Sequence, residues 1–198
     1  MFNVENKIIV ITGVCGQMGR VYAKFFLKNG AIVIGLDISS NKKLDLDNKN
    51  FFFVETDITN KKSITKALEE IKQKFGIPEV LINNAGLDSP PETNSPETGR
   101  FEEYPEEAWD RVLDVNLKGI FLTSQIFGEA MSQNKKGSII NVSSIYGLVS
   151  PDPKIYDYKN NGMNSFYKPV AYSASKSGIL NLTKYLAVYW AKDNVRVN

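Results

Sequence analysis

Short, near-continuous apolar runs alternate with longer amphipathic stretches along this chain, and that rhythm leaves few folds open. Residues 7–12 (KIIVIT), 31–37 (AIVIGLD), 51–57 (FFFVETD), 80–83 (VLIN) and 138–143 (SIINVS) read as strands. Runs with so little polar interruption suit a parallel sheet covered on both faces. Residues 19–29, 61–75, 106–133 and 174–192 read as helices, and Gly30 and Gly76 follow the first two where a terminating glycine belongs. Strand–helix alternation with short turns predicts an α/β fold, a doubly wound parallel sheet forming a single domain over residues 1–198. Residues 195–198 read as the start of one more strand.

Two stretches break the rhythm. Residues 87–105 are rich in Pro, Glu, Ser and Thr, and residues 150–169 in Tyr, Asn, Asp, Lys and Pro. Both read as loops, because strand and helix patterns resume after each. Both leave the C-terminal ends of strands, where ligands bind in open α/β sheets, so they are expected around a substrate pocket. The net charge of +2 is spread over mixed acids and bases, so no basic stripe marks a nucleic-acid partner. No apolar run is long enough for a membrane span, and the polar N-terminus carries no apolar leader. The single cysteine, Cys15, excludes an internal disulfide. Together these features make the cytoplasm the expected compartment. Histidine is absent, which removes Ser-His-Asp and Cys-His catalysis and histidine metal sites. No metal is expected, and acid–base chemistry falls to Tyr, Lys, Asp, Glu or Cys15.

The segment after the first strand reads Thr12-Gly13-Val14-Cys15-Gly16-Gln17-Met18-Gly19 and opens a helix. A tight strand-to-helix turn brings backbone N–H groups and the positive end of the helix dipole close to a pyrophosphate. Glycine is required where a Cβ would block the turn or the phosphate. Asp37 ends the second strand, 18 residues after Gly19. A carboxylate there accepts both hydroxyls of an adenosine ribose and repels a 2′-phosphate, which favours NAD over NADP in a Rossmann-type site. Asp57 and Ile58 end the third strand and are candidates to line the adenine. The plainer readings are a structural glycine turn and an Asp37 that caps the loop ahead. Cys15 reads as a small spacer.

Tyr172 and Lys176 stand four residues apart and so share one helix face. A lysine ammonium beside a phenol favours the phenolate, which then exchanges a proton with a carbonyl or alcohol near neutral pH. Ser144, after the fifth strand, would hydrogen-bond the same oxygen. Taken alone, the pair could equally be a buried ring and a solvated lysine. Asn116 lies inside a predicted helix, where asparagine is otherwise unfavourable.

The order Thr12–Gly19, Asn83-Asn84-Ala85-Gly86, Asn116, Ser143-Ser144 and Tyr172-Ser173-Ala174-Ser175-Lys176 resembles the short-chain dehydrogenase/reductase family over nearly the whole chain. The resemblance implies NAD-dependent hydride transfer between nicotinamide and a secondary alcohol or ketone. It implies Tyr172, Ser144, Lys176 and Asn116 as catalytic residues. Lys176 would hold the nicotinamide ribose, and Asn116 a water linking Lys176 to solvent. Ser143 is the rival of Ser144. Gly13, Gly16, Gln17, Met18, Gly19, Asp37, Asp57, Ile58, Asn84, Ala85, Gly86, Tyr172 and Lys176 would contact the cofactor. The family also implies a homodimer or homotetramer.

Three departures follow. The TGxxGxxG spacing places Gln17 where the single-domain branch has its middle glycine, and resembles the longer, sugar-nucleotide-modifying branch. Ser144 and Tyr172 stand 28 residues apart, a long gap for the family. That suggests a roomy, polar pocket for a small-molecule substrate such as a sugar, as in members from bacterial surface-sugar and flagellin-glycan clusters. The chain ends at Asn198, before the turn beside nicotinamide and the substrate loop that the family carries. Weaker NAD binding than in longer relatives, and slow turnover, are therefore expected. A sugar-nucleotide epimerase or dehydratase and a non-catalytic dinucleotide-binding protein are the alternative readings.

Overall fold

The computed structural model describes residues 3–38, 46–88, 96–159 and 166–198. Parts of both predicted pocket loops, 89–95 and 160–165, lie outside the described residues. Six strands form one sheet: β1 (Ile8–Thr12), β2 (Ile32–Asp37), β3 (Phe51–Glu55), β4 (Val80–Asn83), β5 (Gly137–Asn141) and β6 (Val195–Val197). Their order is β3-β2-β1-β4-β5-β6, and every pairing is parallel. The helices are α1 (Gln17–Lys28), α2 (Lys61–Phe75), α3 (Glu106–Leu113), α4 (Gly119–Gln133) and α5 (Val170–Tyr189). None of the described helices is long and apolar enough to cross a membrane.

The apolar strands bury both faces because successive side chains point to opposite sides. In β1, Ile9 and Ile11 join Ala23 and Leu27 of α1 in one core. Val10 joins Ile64 and Ile71 of α2 and Phe127 and Met131 of α4 in the other. Chain order reverses between β1 and β4, and a crevice at the C-terminal strand ends there is the place where this architecture binds ligands.

Several boundaries differ from the sequence pattern: β3 ends at Glu55, so Asp57 and Ile58 lie beyond the strand rather than at its end, and α1 begins at Gln17, two residues before Gly19. The predicted 106–133 helix is interrupted: residues Asp114–Lys118 form a π turn, closed by the Gly119 N–H on Asp114 O. A π turn widens the helix locally and turns Asn116 fully into the interior, where its side chain is satisfied. Helix α5 starts at Val170, one turn before the predicted 174, because Pro169 presets the entry with φ −52°. Tyr172 therefore stands in the first turn of α5 and Lys176 in the second. Strand β5 stops at Asn141, so Ser143 and Ser144 lie beyond it.

Candidate active site

The glycine turn is a steric necessity at two of its three glycines. Gly13 has φ +67°, and a Cβ there would stand 2.7 Å from Ala85 Cα. A Cβ on Gly19 would stand 2.2 Å from Gly13 O, an impossible approach to backbone. Gly16 is different: it has extended backbone at the N-cap of α1, and a Cβ would sit 3.2 Å from Gly13 O. Gly16, Gln17 and Met18 are exposed and line a cavity of about 650 Å³, so the displaced middle glycine leaves the N-terminus of α1 open. Pockets of that size take cofactors and small ligands.

Asp37 braces the glycine turn and also faces the cavity. Its Oδ1 accepts from Ile38 N and its Oδ2 from Cys15 N, each at 2.9 Å, so it ties the end of β2 to the glycine turn. Asp57 and Ile58 line the cavity too, with Asp57 Oδ1 accepting from Thr59 N and Thr59 Oγ1.

Asn84, Ala85 and Gly86 form the cavity wall beyond β4. Thr12 Oγ1 accepts from Asn84 N and Ala85 N at 3.0 Å, and Asn84 Nδ2 donates to Thr12 O and Gly13 O. These bonds lock the end of β4 against the glycine turn. Asn83 is 1% exposed and satisfied on both sides of its amide: it donates to Ser124 and Asn141 and accepts from Thr123. Buried amides demand such partners, and Asn83 is a structural hub.

Tyr172 and Lys176 reach the far end of the same cavity, with Lys176 Nζ 5.7 Å from the Tyr172 ring centroid. Lys176 is 4% exposed, and its ammonium donates to Val142 O at 2.7 Å. Asn116 is the bracket behind them. Its amide exchanges two bonds with the Leu87 backbone, at 2.7 and 2.9 Å, and donates to Ser175 Oγ at 3.2 Å. It thereby joins the segment leaving β4 to α5. Of the expected site residues, all line the cavity except Gly19, Asn116 and Ser144, the last directly following the lining residue Ser143.

The two serines divide their tasks. Ser143 lines the cavity, but its hydroxyl donates to Lys176 O at 2.8 Å. Ser144 Oγ accepts from Tyr146 N at 3.2 Å, capping a short 3-10 turn, and its hydrogen remains to be donated.

Burial pushes the Lys176 pKa below its ordinary value of 10.5, and the charge of Asp88 opposes that shift. Between the lowered folded value and 10.5 the unfolded chain binds more protons, so stability rises with pH through that window. Below the window the cost of burying the ammonium is present in full. Lys176→Met is therefore expected to stabilise the cofactor-free chain near neutral pH by about 1 kcal/mol, roughly 2–4 °C in Tm. Water entering the cavity of the variant would donate to Val142 O in place of the ammonium. Thermal melts at neutral pH and near pH 10 check this: the gain shrinks at the higher pH.

Several cavity residues escaped the motif reading, among them Asp88, Val115 and Val142. Lys168 escaped it as well, although it pairs with Asp88 and stands 4.9 Å from the Tyr172 ring centroid. Its one signal was its place four residues before Tyr172. The long gap before Tyr172 is partly packed inward. Tyr156 is buried against Phe166 with centroids 4.8 Å apart, and its hydroxyl meets that of Tyr146 at 3.0 Å.

The family model described as short chain dehydrogenase matches residues 7–158. An NAD-dependent glycerol dehydrogenase of Listeria innocua is 33% identical over 100% of this chain and 70% of its own length. The post-translational flagellin modification protein A of Campylobacter coli is 32% identical over 98% of this chain and 75% of its own. The crystal structure of a short chain dehydrogenase from Leptospira borgpetersenii with bound NAD+ superposes with a TM-score of 0.85 at 34% identity, covering 99% of this chain and 70% of that one.

Proposed function

This chain belongs to the short-chain dehydrogenase/reductase family of oxidoreductases, and from that premise we propose that it moves a hydride between NAD and a neutral polyol or sugar. The observation that carries the reading is a single cavity with a glycine-turn helix N-terminus and Asp37 at one end and Tyr172 with Lys176 at the other. The pyrophosphate fits where Gly16, Gln17 and Met18 leave the start of α1 open. Asp37 would hold the adenosine ribose, and Asp57 with Ile58 would flank the adenine. Asn84, Ala85 and Gly86 support the path to the nicotinamide end. NAD, when bound, supplies the hydride acceptor or donor at nicotinamide C4.

The chain supplies the proton chemistry and the orientation. Tyr172 Oη takes the hydroxyl proton of an alcohol, or returns one to a carbonyl oxygen. Ser144 donates to the same oxygen and steadies its developing charge. Lys176, held by Val142 O and enclosed by the protein, places its ammonium beside the phenol and would hold the ribose of the nicotinamide. Asn116 holds the two walls in register and carries the route by which a proton leaves Lys176 for solvent. The glycerol dehydrogenase relative supports the polyol class. Self-association and a cytoplasmic location complete the proposal. The outer face of α5 supports the first, with Tyr185, Val188 and Tyr189 each more than half exposed.

An assay of NAD reduction over sugars, polyols and simple alcohols tests the reading. Polyols should outrun apolar alcohols, and the reverse order would overturn the substrate class. Cofactor choice gives a sharper check. Asp37→Asn keeps an acceptor for Cys15 N but removes the charge facing the ribose. NAD affinity should fall about tenfold and the gap to NADP should narrow. Parallel titrations with the two cofactors measure both.

A further inference from the structure

Asp88 lines the same cavity as Tyr172 and Lys176, yet the proton chemistry above makes no use of it. It stands two residues past Gly86, on the segment leaving β4. Its Oδ1 accepts from Lys168 Nζ. The partners are unequal: the Lys168 side chain is 6% exposed and that of Asp88 is 45% exposed. The lysine is the buried anchor, and the carboxylate is the accessible end. The same ammonium stands 4.9 Å from the Tyr172 ring centroid, which fixes the pair beside the phenol. Asp88 follows β4 and Lys168 precedes α5, so their bond also ties the end of that strand to the start of that helix.

We propose that Asp88, held in place by Lys168, determines specificity by accepting a hydrogen bond from a second hydroxyl of the substrate, on the carbon next to the one that reacts. The inference rests on Tyr172 marking the reacting end, as above. A carboxylate only accepts, so it selects O–H donors and repels a carboxylate or phosphate. Lys168 has its charge matched by Asp88 and offers no net attraction to an anion. The anchoring also removes rotamer freedom before the substrate arrives, which favours binding. Neutral vicinal polyols satisfy the site. A monohydric alcohol leaves Asp88 to water, and a 2-hydroxy acid meets like charge.

The test is a calorimetric titration of glycerol, propan-2-ol and lactate into the protein, with and without NADH, for the unsubstituted chain, Asp88→Asn and Asp88→Asn/Lys168→Met. The double variant leaves no uncompensated buried lysine, so it separates specificity from misfolding. The unsubstituted chain should prefer glycerol to propan-2-ol at least about tenfold, as a hydrogen bond to a charged group allows. Both variants should lose about tenfold of that preference, and lactate should bind more tightly to Asp88→Asn than to the unsubstituted chain. Equal binding of glycerol and propan-2-ol, or variants that keep the preference, would overturn the proposal. NADH binding is followed separately by its fluorescence. Its failure would overturn the cofactor reading of the cavity, while the cofactor-free titrations still decide the role of Asp88.

Discussion

Tyr172→Phe is expected to slow hydride transfer by about 10³-fold while NAD affinity and thermal stability stay close to those of the unsubstituted chain. Only the hydroxyl is lost, and a positioned general acid–base contributes roughly 10²–10⁴-fold. The ring keeps its place on α5, within reach of the Lys168 and Lys176 ammoniums. Single-turnover measurements at stoichiometric NAD separate the steps, with binding unaffected and the chemical step slow. A variant that lost binding and rate together would mean that Tyr172 shapes the cavity rather than moving a proton.

The second large effect belongs to Gly19. A methyl group at this position would meet Gly13 O at 2.2 Å and Val14 Cα at 2.8 Å, both backbone atoms. Backbone moves only with the strand and helix attached to it, so Gly19→Ala is expected to cost about 3 kcal/mol, or roughly 6–12 °C in Tm. Moving Gly13 O would also break its bond from Asn84 Nδ2 and open the cradle, so NAD affinity should fall with stability. Gly16→Ala is the control. Its φ of −75° suits any residue, and the nearest contact of a new Cβ is 3.2 Å. That variant should melt within about 2 °C of the parent, yet bind NAD more weakly, because its methyl group enters the cavity where the pyrophosphate approaches. A melting curve and an NAD titration on each variant check the contrast.

These two variants also show what was legible without coordinates. The apolar runs marked five of the six strands, because burial on both faces leaves little freedom in composition. The glycine spacing marked Gly13 and Gly19, whose steric demands are local. Residues four apart on one helix brought Tyr172 and Lys176 to one face. Elements whose form depends on distant partners were less legible. The π turn at Asp114–Lys118 has no composition signal of its own, since it is held by Asn116 bonding to Leu87 and Ser175. The early start of α5 depended on the geometry at Pro169. The Asp88–Lys168 pair joins residues 80 apart in the chain, and no periodicity connects such a pair. The bond from the Ser143 hydroxyl to the Lys176 carbonyl was equally hidden, because its partners stand 33 residues apart.

Isotope transfer tests most directly whether Tyr172 and Lys176 handle a proton beside NAD bound along one cavity. Glycerol carrying deuterium on C2 is incubated with NAD and stoichiometric protein, and the reduced cofactor is examined by mass spectrometry. Deuterium is expected on the nicotinamide ring with the unsubstituted chain, and about 10³-fold slower label transfer with Tyr172→Phe. Absence of label with the unsubstituted chain, or equal transfer by both proteins, would contradict that role for the pair.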